Sequence, residues 1–172
     1  MTINQSDLNN KNIKFKTIEE RKTEAEKELG QASDTASEIY KSRENEPNEN
    51  LLIRNFYYSV YHLIKAISIL DTGVDYNSHS ALISYFNREA KKEGFLSQFG
   101  IKFKYDNIGR DIDILFRLRD QYDYRERFVV EEDYLEAEEI WLRIFPELDS
   151  LVCSILNNER SPLTFGSQSV KR

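Results

Sequence analysis

Cysteine occurs once, histidine twice, proline three times and glycine six times in 172 residues, and each scarcity excludes a class of protein. A single thiol builds no disulfide framework, and Cys153, inside the apolar run 151–156, reads as a small packed hydrophobe. His62, His79 and Cys153 form no Cys/His set at zinc spacing and no Gly-rich phosphate loop occurs, so neither a metal nor a cofactor is expected. Few glycines and prolines disfavour a turn-rich sheet protein. The longest mainly apolar stretch, 51–70, is broken by Arg54, Asn55, His62 and Lys65 and makes a poor membrane span. The opening Met1-Thr2-Ile3-Asn4-Gln5 lacks the apolar core of a secretory signal, which makes a cytoplasmic protein the expectation.

What the chain has in quantity is charge, 31% of all residues with a net −6, arranged at helical spacing. An acidic balance argues against broad electrostatic binding of nucleic acid while leaving room for a local site. Glu131, Glu132, Asp133, Glu136, Glu138 and Glu139 read as the solvated first turns of a helix. A flexible leader is expected over 1–16, one helical domain over 17–158 and a flexible tail over 159–172.

Periodicity places a first helix over 17–43 on a narrow seam of Ile18, Ala25, Leu29, Ala32, Ala36 and Ile39, ended by the break around Pro47. The second helix, 49–71, carries a core stripe of Leu52, Phe56, Val60, Leu63, Ile67 and Leu70. Its opposite side holds Tyr58, Tyr61, His62, Lys65 and Ile69, a stripe suited to a subunit interface, a partner groove or a nucleotide pocket, or simply to another helix. Asn77 or Ser78 caps a third helix over 79–93 that buries Leu82, Ile83, Tyr85 and Phe86 and stops at Gly94. Residues 95–105 read as a loop. The fourth helix spans 106–124 and the fifth starts near Glu131, burying Tyr134, Trp141, Ile144, Leu148, Leu151, Val152 and Ile155, with Pro146 kinking or restarting it. This is an all-α, antiparallel four- to five-helix bundle.

One residue breaks the pattern. Ile108, Ile112, Leu115, Arg119 and Tyr122 step by helical spacing along one stripe, so Arg119 takes a place that periodicity assigns to an apolar side chain. An inward guanidinium needs an anion or several acceptors, and Asp123, one turn on, is the local partner. The pair reads equally as a structural clamp or as a functional arginine.

Three segments carry a resemblance: Arg54-Asn55-Phe56-Tyr57-Tyr58-Ser59-Val60-Tyr61-His62-Leu63-Ile64-Lys65-Ala66, His79-Ser80-Ala81-Leu82-Ile83-Ser84-Tyr85-Phe86, and Leu118-Arg119-Asp120-Gln121-Tyr122-Asp123-Tyr124. In this order the chain resembles a HEPN domain of the prokaryotic stand-alone kind that is associated with a minimal nucleotidyltransferase. The resemblance implies a homodimer, a nucleotidyltransferase partner, and a superfamily whose members cut RNA or act as toxins. It also implies a ribonuclease signature on the fourth helix, an Arg followed four to six residues later by a His. A histidine exchanges the 2′-hydroxyl proton at neutral pH, and the arginine stabilises the charged phosphorane.

Here that window ends in Tyr124, Arg125 and Glu126 counted from Arg119, and in Tyr122, Asp123 and Tyr124 counted from Arg117, without a histidine. A tyrosine with a pKa near 10 is a poor base at pH 7. Arg119, Asp123 and Tyr124 match the Arg followed by Asp-Tyr familiar in the subfamily, with Tyr124 and Arg117 sharing one face and Arg119 and Asp123 on or beside the other. Tyr124 is also the candidate acceptor if the partner enzyme attaches a nucleotide here, as it does in some toxin relatives.

The leading expectation is a dimeric, non-catalytic or weakly active HEPN protein that binds a nucleotidyltransferase partner, RNA or a nucleotide, with Asn55, Tyr58, Tyr61, Lys65 and Arg117 as binding residues. The alternatives are an RNA-cleaving toxin using Arg119 with His62 or His79 recruited from elsewhere, and a purely structural helical adaptor.

Overall fold

A computed structural model describes residues 13–44, 48–76, 78–90, 108–124 and 128–157. Among them are five helices, α1 (Ile18–Glu44), α2 (Glu49–Thr72), α3 (His79–Ala90), α4 (Ile108–Tyr124) and α5 (Glu131–Asn157), and a two-stranded ribbon of β1 (Ile13–Lys14) and β2 (Val74–Asp75). The chain is the all-α bundle that its periodicity predicts.

The bundle is built around α2, which packs against α1, α5, α4 and α3. Leu52, Phe56, Val60, Leu63, Ile67 and Leu70 are all buried, as expected, and so are Ile53, Tyr57, Ile64 and Ile69 around the rest of the helix. A helix that buries apolar residues well beyond one stripe belongs in the middle of a bundle. The second stripe of α2 is half-buried: Tyr58, Tyr61, His62 and Lys65 all meet neighbours from the same chain. Asn48 caps α2, its side chain accepting from the Leu51 N–H at 3.2 Å. Gly73 ends it at φ 69°, its N–H bonding the Ile69 carbonyl at 2.8 Å, the left-handed stop for which glycine is the least strained choice.

Helix α1 opens on a capping box, in which the Thr17 hydroxyl accepts from the Glu20 N–H at 3.1 Å and the Glu20 carboxylate accepts from the Thr17 N–H at 3.1 Å. Its buried face is mostly small, with Ala25, Ala32 and Ala36 beside Ile39, and this lets it lie close along α2. Ser78 caps α3 through the Ala81 N–H at 3.1 Å. Helix α5 runs continuously from Glu131 to Asn157 through Pro146, so the kink or restart expected there is not a restart. Trp141 of α5 is the largest fully buried side chain, and its indole N–H donates to the Ser59 hydroxyl at 2.8 Å in the middle of the bundle.

The end of the segment expected as a leader pairs with the bundle. Ile13 and Lys14 pair antiparallel with Asp75 and Val74, and the Phe15 N–H bonds the Gly73 carbonyl at 2.7 Å. Two residues per strand carry no legible alternation, which is why the sequence does not announce the ribbon. Residues 1–12, the reading of 95–105 as a loop, the stop at Gly94, the Pro47 break and the tail 159–172 lie outside the described residues. Among the described residues no helix is long and apolar enough to cross a membrane.

Candidate functional site

Helix α4 buries Ile108, Ile112, Leu115 and Tyr122 and carries Arg119 inward on the same stripe, where the residue is only 9% exposed. The guanidinium sits among aromatic rings, its carbon 5.2 Å from the centres of both Tyr58 and Tyr124. Its Nη2 donates to the Tyr58 hydroxyl at 2.5 Å and, weakly, to the Tyr124 hydroxyl at 3.4 Å. Nε lies 2.9 Å from Asp123 Oδ2, yet this is an ion pair without hydrogen-bond alignment, and among the described residues the buried Nε–H has no hydrogen-bond acceptor. Burial works against the charge, the Tyr58 hydroxyl and Asp123 favour it, and the balance holds the group above the usual arginine pKa. The expected clamp with Asp123 is present but leaves donor capacity unspent.

Arg119 also lines an open cleft of about 450 Å³ between α1, α2 and α4. Arg119, Asp123 and Tyr124 form one wall, and Arg54, Asn55, Tyr58 and His62 of α2 form the other, with Thr35 of α1 at the edge. Tyr124 is 71% exposed, so its ring is free to stack while its hydroxyl stays near Arg119. Arg117 is exposed on α4 and does not line the cleft. The sharing of one face by Arg117 and Tyr124, read from spacing, gives way to the flexible reach of the tyrosine ring, which brings its hydroxyl to the Arg119 side.

The two histidines part company here. His62 lines the cleft and is tied from behind: its Nδ1 lies 2.6 Å from Glu28 Oε2, while the other Glu28 oxygen accepts from Lys65 Nζ at 2.8 Å. Lys65 in turn meets Asp75 Oδ2 of β2 at 3.3 Å. Burial alone raises the Glu28 carboxyl, but the hydrogen bonds from His62 and Lys65 outweigh it and hold the group below the usual glutamate value. His79 lies behind the cleft, bonded through Nδ1 to the Tyr57 hydroxyl and stacked on Tyr61 with ring centres 4.5 Å apart. Burial first, then the charges of Arg119 and His62, push His79 below the ordinary histidine pKa, so it is neutral at neutral pH. Tyr61 and Lys65 thus serve the two histidines rather than the cleft wall, and Asn55 points back to Glu38 at 3.5 Å, the limit of a hydrogen bond.

Glu28, Arg54 and Thr35 are the site residues that the sequence reading passes over. Glu28 had a signal, because it falls between Ala25 and Ala32 on the seam of α1, a charge at an apolar place by the rule that singles out Arg119. Arg54 and Thr35 had none. Two arginines and a histidine facing one carboxylate and an exposed tyrosine ring make a place for a phosphate with a base beside it. Among the described residues no group of His, Cys, Asp and Glu is arranged to hold a metal ion.

Compared with known proteins, the chain matches the family model of the HEPN domain over residues 22–145. No curated protein and no solved structure gives a significant match.

Proposed function

The chain belongs to the HEPN domain family, and on that premise we propose that it is a cytoplasmic, dimeric domain that binds an RNA or nucleotide phosphate in the Arg119 cleft and works with a nucleotidyltransferase partner in a toxin–antitoxin or defence setting. The observation that carries the binding reading is the meeting of Arg119, Arg54 and His62 in one open cleft. Two guanidinium groups and a histidine around one cleft favour an anion there through charge-assisted hydrogen bonds. The cleft is open to solvent, and the exposed Tyr124 ring offers a stacking surface for a base. The partner and the setting rest on the family resemblance of the three segments.

The test is fluorescence anisotropy with labelled nucleoside monophosphate and short single-stranded RNA. Wild type is expected to bind, and Arg119→Lys, which keeps the charge and loses the planar fork, is expected to weaken binding about tenfold. Absence of binding by wild type to either probe overturns the reading. Covalent nucleotide transfer to Tyr124 by a co-purified partner enzyme would appear as a mass increase that Tyr124→Phe abolishes.

A second reading, RNA cleavage, gains support from the presence of His62 in the cleft. The chemistry is a transfer within the RNA. The 2′-hydroxyl proton passes to His62, O2′ bonds to phosphorus while Arg119 faces the developing charge, and the P–O5′ bond breaks. A proton returned to O5′ completes a 2′,3′-cyclic phosphate and a free 5′-hydroxyl. Loss of cleavage in both Arg119→Ala and His62→Ala supports this reading, and retention of activity in His62→Ala contradicts it.

A further inference from the structure

The histidine missing from α4 has a counterpart on α2, and its setting is more specific than proximity. Glu28 is 2% exposed, and its two oxygens have separate jobs, Oε1 taking Lys65 and Oε2 taking His62 Nδ1. An ionised carboxylate accepts hydrogen bonds and donates none. Glu28 is held ionised by the same two partners, with Lys65 further anchored by Asp75. The proton between Glu28 and His62 therefore belongs to Nδ1. In the neutral ring Nε2 is then the bare nitrogen, and among the described residues it has no protein partner. His62 shares the cleft with Arg119, Arg54 and Asp123.

We propose that Glu28 is a positioning residue, which locks His62 in the Nδ1–H form so that its Nε2 is the proton acceptor of the Arg119 cleft, a base supplied by α2 through α1 in place of one on α4. The inference deepens the cleavage reading and rests on it only for activity, because the tautomer is a property of the free protein. His79 supplies an internal control. The Tyr57 hydroxyl has no other acceptor among the described residues, so it donates to His79 Nδ1 and leaves that ring's proton on Nε2. One protein thus carries its two histidines in opposite tautomers.

The experiment is nitrogen NMR of the full chain with labelled histidine, above neutral pH, with the signals assigned by His79→Asn. The expected spectrum shows a pyridine-type Nε2 and a protonated Nδ1 for His62, and the reverse for His79. In Glu28→Gln the His62 signals shift toward the Nε2–H form while those of His79 stay in place. Added uridine 3′-monophosphate is expected to move the His62 Nε2 signal in wild type. A wild-type His62 protonated on Nε2 overturns the proposal without any variant having to fold. In a ribonuclease assay, Glu28→Gln is expected to lower kcat about a hundredfold at unchanged KM, with partial recovery in Glu28→Asp. An unaltered kcat in Glu28→Gln also overturns the proposal. Wild-type protein that shows the tautomers but leaves RNA intact supports the lock and defeats the cleavage reading alone.

Discussion

Arg119 and Glu28 occupy equivalent places on α4 and α1, each a charge set into an apolar seam, but their partners differ in how completely they satisfy them. Glu28 is fully bonded by His62 and Lys65, whereas Arg119 keeps a buried Nε–H without a hydrogen-bond acceptor among the described residues. Truncating Arg119 should therefore cost less than removal of one member of a closed pair. Arg119→Met, which keeps the packed stem and returns the partly exposed Asp123 to water, is expected to lower stability by about 1 kcal/mol, and Arg119→Ala, which also leaves a void, by about 2–3 kcal/mol. Urea denaturation measures both, and a loss well beyond this in Arg119→Met would mark the residue as scaffold. His79 makes a separate prediction. Its folded pKa lies below the ordinary 6.5, so the unfolded chain binds the proton more readily. This contribution to stability is complete above pH 6.5 and is lost as pH falls from there toward the folded value. Glu28 adds a second acid loss, starting only below its ordinary 4.5. Unfolding midpoints followed from about pH 8 to about pH 5 should fall below neutrality in wild type and stay flatter in His79→Asn. Of these residues Arg119 is legible from the sequence because bulky apolar neighbours frame it, while the alanine seam of α1 draws too faint an outline to make Glu28 stand out.

The helices themselves were largely legible, since 3.6-residue periodicity, the Gly73 stop and the polar residues before each start mark their ends. What periodicity does not tell is whether the second stripe of α2 meets water or another helix, and the structure shows both: Tyr58, Tyr61, His62 and Lys65 are half-buried, and Tyr58 and His62 also line the cleft. The glycines of α1 and of the α2 terminus separate the two effects that glycine has. Gly30 lies exposed in the interior of α1 with open space where a Cβ would go, so Gly30→Ala should stabilise the protein by about 0.5–1 kcal/mol. Gly73 is at φ +69°, and a Cβ there would come within 2.6 Å of both the Phe15 carbonyl and Arg21 Nε. Gly73→Ala should cost at least about 1–2 kcal/mol and disturb the β1–β2 ribbon, because the backbone of Phe15 cannot step aside as a side-chain tip can. Thermal unfolding of the pair, measured side by side, checks both signs.

At the scale of the molecule, the cleft is assembled from α1, α2 and α4, and none of these helices makes it alone. The fold class follows from the pattern of elements, but the meeting of Arg54 and His62 with Arg119 depends on how three helices are placed, which spacing along one chain does not encode. A ligand that spans the walls must therefore stabilise the whole bundle. A nucleoside monophosphate present at one hundred times its dissociation constant should add about 2.7 kcal/mol to the folded state, which for a chain of this size raises the melting temperature by about 5–10 °C. Arg119→Lys should show a much smaller rise at the same concentration. The net charge of −6 adds a second requirement. Binding by a few cleft cations, in a molecule that is otherwise repelled by phosphate, should weaken only gently with salt, with a slope set by one or two phosphate contacts rather than by many. Thermal shifts repeated across a salt series measure both quantities. A steep salt dependence or a rise of equal size in Arg119→Lys would mean that the ligand sits elsewhere on the surface.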